Sequence, residues 1–394
     1  MTAPGHVVVA GAGLAGLRTI EELRGRGFGG DITLVGAETR PPYDRPPLSK
    51  KLMTGELDDT TLRADLDGLG VRALLARRAT GVGGGVLVTD GGEIAFDALV
   101  LATGASPVAL PGEGTQHLLR TLDDALELRK LLTPGVRLAI IGAGWIGAEL
   151  ATAAAHLGCQ VTVVEAAAAP LAAGIGAQVG ALTVPWYAAA GVDLRLEQGV
   201  AEVRPGGLAL AGGGWLAADV VVTAVGVRPA TGWLAGSGVE LDNGVAVDGG
   251  LRASVPGVFA AGDCAAFWSA RYGRRLRFEH WDVALHAPEV VAANLLGGDE
   301  AYDPVPYFWS EQFGRMVQYV GYHGEAGRLL YRGDPAADQH WGAAWLDGDR
   351  LTALLTVGLP RDLLQGRRVI GSGAAVDPAK LADPAVPVRD CVLR

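Results

Sequence analysis

The hexapeptide GAGLAG at residues 11–16 returns as GAGWIG at residues 142–147. Each copy follows an apolar run, HVVVA at 6–10 and VRLAII at 136–141, and each opens a stretch of helical character. A lone GxGxxG is weak evidence, but a strand before it and a helix after it is the setting that a dinucleotide-binding βαβ unit requires. The first glycine (Gly11, Gly142) permits a tight turn, and the second (Gly13, Gly144) lets the backbone approach a pyrophosphate. The third (Gly16, Gly147) lets helix and strand pack closely. Ala15 and Ile146 fill the same place in the two copies and are expected among the nucleotide contacts. The helix N-terminus then offers free N–H groups and partial positive charge to the phosphates.

The second strand of each unit leads to an acid. DITLVG (31–36) runs on to Glu38, and QVTVVE (160–165) ends on Glu165. A carboxylate there can accept hydrogen bonds from both hydroxyls of an adenosine ribose. The duplication continues, because VLVTDGGEIAFDALVLATG (86–104) aligns without a gap on LALAGGGWLAADVVVTAVG (208–226), with Asp97 matching Asp219. Two such halves imply two dinucleotides. For turnover one must stay and one must exchange, and a resident flavin with an exchanging nicotinamide meets that need. The nicotinamide delivers a hydride and the flavin can release electrons singly.

Composition bounds the rest. With 394 residues, 49% hydrophobic and 19% charged, the chain is expected to be globular with two or three domains. The formal charge of −10 argues against a general nucleic-acid surface. No uninterrupted apolar span suits a membrane, and a first strand beginning at His6 leaves no room for a signal peptide. Cys159, Cys264 and Cys391 are isolated, and no CxxC occurs, so neither a disulfide framework nor a redox dithiol is indicated. A cytoplasmic protein without a metal site is expected.

The segment PPYDRPPLSK (41–50) resembles the signature of FAD-dependent ferredoxin reductases that serve oxygenases, relatives of rubredoxin reductases and apoptosis-inducing factor. LATGA (101–105), LRTLDDA (119–125), GAGWIGAELA (142–151), FAAGDCA (259–265), FEHW (278–281) and PYFWSEQ (306–312) follow in the family's order along nearly the whole chain. The resemblance implies FAD contacts from Arg45, Lys50, Ala79, Ala102, Thr103, Gly104, Arg120, Asp263 and Trp281, and an NAD contact from Gly226. It places Glu149 beside the flavin and the incoming nicotinamide, paired with Lys50, where the lysine would favour negative charge on the reduced ring. Glu149 is expected in the first helical turn, where a carboxylate is favourable in any case. Trp309 matches the family's aromatic at the exposed flavin edge. The sequence departs from the family at His280 and Val283, where a small hydroxyl residue and an asparagine are common. A helix is expected over 281–297, with Pro288 kinking it unless it lies near an end.

No lysine or arginine follows Glu165 in AAAAPLAAG, which favours NADH over NADPH. ARYGRRLRF (270–278) carries Arg271, Arg274, Arg275 and Arg277 and is either a landing pad for an acidic [2Fe–2S] ferredoxin or a solvated hairpin. The expected fold is α/β. A discontinuous FAD domain (1–108 and 230–305) and an NAD domain (109–229) share one Rossmann-like, glutathione-reductase-like plan, followed by an α+β domain (306–394) with a hairpin in 340–360. The function this supports is an NADH-dependent ferredoxin reductase, a monomer or weak homodimer. A flavin-dependent NADH oxidase and a redox-sensing NADH-binding interaction flavoprotein are the alternatives.

Overall fold

Two parallel sheets of the same plan carry the two cradles. The computed structural model describes residues 4–324 and 327–393. It divides into one unit of Met1–Asp44, Thr60–Ser106 and Val227–Pro304, and a second of Arg45–Asp59, Pro107–Gly226 and Val305–Arg394.

In the first unit the sheet order is Val258–Ala260, Ala98–Leu101, His6–Ala10, Asp31–Val35, Val71–Leu74. All four pairings are parallel. The central strands read as near-continuous Val/Leu runs because helices cover a parallel sheet on its faces, and Val7, Val8, Val9, Leu99 and Val100 are fully buried. The cradle helix Leu14–Gly25 packs against the helix Trp281–Leu295. That second helix is continuous through Pro288, which stands in its middle. Pro288 is thus not near an end, and the chain continues as helix past the backbone donor that it lacks.

The second unit repeats the order as His117–Leu118, Val220–Thr223, Arg137–Ile141, Gln160–Val164, Asp193–Arg195, again all parallel. The duplicated excursions become three-stranded antiparallel sheets, one over Ala79–Ala95 and the other over Val200–Ala217. The matched acids do matched work. Asp97 accepts from the Gly5 and His6 amides at 2.8 Å, and Asp219 accepts from the Arg137 amide at 3.0 Å. Each acid thus ties the return strand to the start of the first strand. The hydrogen bonds from the Arg137 side chain and backbone hold the Asp219 carboxyl down to about 2.

Residues from Tyr307 onward form an antiparallel sheet in the order Tyr307–Gln312, Arg315–Gly321, Arg350–Val357, Trp341–Asp347, Arg328–Arg332. The expected hairpin is present, turning at Gly348 and Asp349 between Trp341–Asp347 and Arg350–Val357. Period-two alternation splits this sheet's faces. Ala344, Leu346 and Leu354 meet the helix Pro360–Ser372, whereas Trp341, Trp345 and Leu355 meet Leu171, Ile175 and Trp186 of the segment after Glu165.

Candidate active site

The two cradles are superimposable in their logic. The Gly11 amide donates to Val35 O at 2.7 Å and the Gly142 amide to Val164 O at 2.8 Å, closing the same turn twice. Gly11 and Gly142 adopt φ of +124° and +101°, and a Cβ on either would collide with the return strand's carbonyl, Ala102 O or Ala224 O. A Cβ on Gly16 or Gly147 would collide with the first glycine's own carbonyl. The middle glycines differ: around Gly13 and Gly144 a Cβ would meet no atom within 4 Å. Open space is kept at the one place where each helix N-terminus must be reached by a phosphate, so both cradles fit a dinucleotide pyrophosphate.

In the first unit the strand end at Ala102–Thr103 and the turn Gly262–Cys264 lie against the cradle. A Cβ on Gly262 would come 3.0 Å from that of Ala15, which puts the Gly262–Cys264 turn carrying Asp263 against the helix start. Ala102 donates to Ala10 O at 2.8 Å, Thr103 Oγ1 donates to Ala230 O at 2.9 Å, and Gly104 has φ of +69°. Glu38 accepts from the Tyr43 hydroxyl at 2.5 Å, and the Trp281 indole donates to Asp44 at 2.8 Å. Ala79 opens the first strand of the antiparallel excursion. Cys264 is buried, and burial pushes its thiol up, away from nucleophilic chemistry.

His280 caps the helix Trp281–Leu295 in extended geometry and stacks on Phe278 at 5.2 Å. Burial lowers its pKa from 6.5 to about 4, with Asp263 opposing weakly. The unfolded chain therefore binds the extra proton between about pH 4 and 6.5, and stability rises with pH across that window. The wild type should lose up to about 3 kcal/mol on acidification through it, and His280→Asn should flatten this limb. Urea midpoints at both ends of the window would show it, and parallel profiles for the two proteins would refute it.

Of the arginine cluster, Arg275 donates to Val247 O and Ala266 O at 2.6 and 2.8 Å, and Arg277 pairs with Glu279 at 2.6 Å. The segment is a hairpin, Ala265–Ser269 with Arg274–Leu276, in which these two guanidinium groups bind their own backbone and a neighbouring acid. Arg271 and Arg274 lie on its exposed side.

In the second unit, Glu165 accepts from the Ala143 amide at 2.7 Å and the Ala167 amide at 2.8 Å, so the cradle itself aims the carboxylate. Burial, and then the Glu165 charge, push the Tyr187 phenol up. Ile146 is 43% exposed at the helix start, an apolar face left open beside Gly144. Gly226 has φ of +101° and accepts from the Val108 amide. A carboxylate so held discriminates by charge. Glu165→Ala should cut the NADH-to-NADPH ratio of kcat/KM by roughly 10-fold or more, as expected for a lost charged hydrogen bond. An unchanged ratio would remove Glu165 from nucleotide choice.

Lys50 and Glu149 come together across 99 residues of sequence, Nζ to Oε2 at 2.7 Å. Glu149 is 3% exposed and the Lys50 side chain 13%. The expectation that Glu149 occupies the first helical turn is corrected. Gly144 is the N-cap and the helix Trp145–His156 has no acid in its first turn, so Glu149 is its fifth residue, facing inward. Arg45 and Arg120 also meet, but through the Arg120 carbonyl, which accepts from Arg45 at 2.7 Å. Trp309 stacks on Tyr307 at 6.0 Å, on the strand face opposite Ser310. Sequence reasoning missed Ser49 and Ser310. Both hydroxyls bind Glu149, at 2.5 and 2.6 Å, although each serine sits inside a segment that drew notice for its neighbour. A cleft of about 420 Å³ lined by Lys50, Glu149, Thr152, His156, Glu311 and Arg315 opens beside the pair. No cluster of metal-binding side chains occurs among the described residues, nor does any helix there have the length and apolarity to cross a membrane.

Two nucleotide cradles on repeated parallel sheets, with a buried lysine–glutamate pair and no paired cysteines among the described residues, define a dinucleotide-dependent oxidoreductase. The chain belongs to the pyridine nucleotide-disulphide oxidoreductase family, whose model matches residues 5–287, and a reductase C-terminal model matches residues 307–392. It is 37% identical to the anthranilate 1,2-dioxygenase system ferredoxin–NAD(+) reductase component of Burkholderia cepacia, over 97% of this chain and 98% of that protein. The crystal structure of Fdr9 matches with a TM-score of 0.94 and 48% identity, covering 98% of this chain and 99% of that one. The covalent putidaredoxin reductase–putidaredoxin complex matches with a TM-score of 0.94 and 31% identity, covering 99% of this chain and 98% of the other.

Proposed function

We propose that this chain is an NADH-dependent, FAD-containing ferredoxin reductase that feeds single electrons to a small acidic [2Fe–2S] ferredoxin of an oxygenase system. The observation that carries the reading is the pair of cradles, each open at its middle glycine, in a chain whose relatives over nearly their full length are named ferredoxin–NAD(+) reductases. A flavin held by the first cradle would supply the chemistry that links a hydride donor to a one-electron carrier.

The residues have separable tasks. The first cradle with Glu38, and Asp263 in the turn against it, holds the resident dinucleotide, with Arg45, Ala79, Ala102, Thr103, Gly104, Arg120 and Trp281 contributing contacts. The second cradle with Glu165 and Gly226 holds the exchanging one. Lys50 and Glu149 serve the hydride step, supplying a fixed positive charge whose burial the carboxylate offsets. Trp309 serves electron exit, and Arg271 and Arg274 remain candidates for steering an acidic partner. Residues 1–108 with 230–305 form the FAD domain, 109–229 the NAD domain and 306–394 the third. The protein acts in the cytoplasm, as a monomer or weak homodimer.

The test is direct. The purified protein should show a flavin spectrum and oxidise NADH rapidly only when a [2Fe–2S] ferredoxin is supplied. Fast oxygen consumption without any carrier would instead identify an oxidase. Slow turnover with every carrier, coupled to NADH-dependent dimerisation, would identify an interaction protein.

A further inference from the structure

Glu149 is held by two segments remote in sequence, Ser49–Lys50 and the strand Tyr307–Gln312. Ser49 closes the 3₁₀ turn Pro46–Ser49 and donates to Glu149 Oε2, the oxygen that also takes Lys50. Ser310, fully buried on the strand Tyr307–Gln312, donates to Oε1 at 2.6 Å and accepts from Gln312 Nε2 at 3.0 Å. That strand is laid along the helix Trp145–His156 by two further contacts. Phe308 meets Trp145 edge-on at 4.5 Å, and the Phe313 amide donates to Thr152 at 2.9 Å. Glu149 and Thr152 lie three residues apart on one helix face, so the strand engages successive turns. A buried strand position next to an aromatic cluster could be filled by valine at less desolvation cost. A hydroxyl there is retained at a cost unless its hydrogen bond is used.

We propose that Ser49 and Ser310 are positioning residues for the hydride step, fixing Glu149 by one hydroxyl on each oxygen so that Lys50 is held in a single place. This rests on the reading of Lys50 and Glu149 given above. With both carboxylate oxygens occupied, the side chain cannot rotate to release the ammonium group. The strand from the antiparallel sheet is thereby a working part of the site.

A double-mutant cycle on the holoenzyme tests it, with flavin reduction by NADH followed in single-turnover mixing. Ser310→Ala should slow reduction about 10-fold with NADH affinity unchanged, as expected for a lost hydrogen bond to a charged group. Ser310→Thr should recover most of the rate. In a Lys50→Met background, removing Ser310 should cost less than about 2-fold, because its effect passes through the lysine. Independently of turnover, Ser310→Ala should raise amine labelling of Lys50, read by mass spectrometry, by about 3-fold or more. Ser49→Ala should behave alike. Additive effects in the cycle, or wild-type rate and labelling in the serine variants, would overturn the proposal while leaving the lysine reading intact. Normal reduction in Lys50→Met alone would overturn both.

Discussion

Replacement of Gly13 by valine is expected to give a folded protein that carries no flavin. The backbone there has φ of −87° and ψ of −169°, a conformation open to any residue, and a Cβ would touch nothing within 4 Å. Neither strain nor packing therefore requires glycine. What the new side chain occupies is the space through which a pyrophosphate reaches the N–H groups of the helix Leu14–Gly25. Losing two or more charged hydrogen bonds should weaken FAD binding by roughly 10³-fold or more. Gly144→Val makes the contrasting case, since φ of −75° and an equally open surround apply there. That variant should stay yellow, and its KM for NADH should rise roughly 10²-fold with little change in the melting temperature. Visible spectra and NADH kinetics of the two purified variants are sufficient. A yellow Gly13→Val with ordinary flavin content would remove the first cradle as the FAD site. The outer glycines should behave differently, because side chains on Gly11 or Gly16 collide with carbonyls and should disturb folding itself.

The second large effect concerns stability. Arg332 is 1% exposed, and its guanidinium pairs with Asp362 at 2.6 Å. It also donates to the carbonyls of Leu381, Asp383, Pro384 and Val386, at 3.1, 2.6, 3.3 and 2.6 Å. One planar fork thus holds the segment that closes the helix-covered face of the antiparallel sheet. Arg332→Met should cost about 3 kcal/mol, because it leaves the half-buried Asp362 without its cation and the buried Leu381 carbonyl without its donor. For a body of this size that corresponds to a fall of roughly 10 °C in the melting temperature of the holoenzyme. Arg332→Lys should recover little, since a single ammonium cannot reach carbonyls on both sides of the fork. A melt within about 1 °C of wild type would show that the charge is not needed there.

The contrast between these two predictions follows how each feature is written in the chain. The cradles are local: turn, open middle position and close-packing position lie within six residues, and the structure realises all three in both copies. The acids after the second strands and the matched Asp97 and Asp219 were visible for the same reason, as consecutive or aligned positions. Only family resemblance singles out Lys50 and Glu149, and the third glycine suggests a helix start later than the observed Trp145, which puts Glu149 in the first turn. The arginine run at 271–277 reads as a docking patch or a solvated hairpin, and the sequence does not disclose the carbonyls that Arg275 and Arg277 meet.

By itself the sequence determined that two βαβ units with GxGxxG turns exist, that an acid follows the second strand of each, and that the three cysteines form no CxxC motif. Periodicity and short motifs suffice for this, since they act between neighbours in the chain. Only the tertiary structure decided which buried polar groups satisfy one another. Ser49, Ser310 and Glu149 are separated by 100 and 161 residues, and Arg332 lies about 50 residues from the carbonyls it binds. A buried charge must find its partners wherever packing brings them, and residue spacing along the chain does not record that choice.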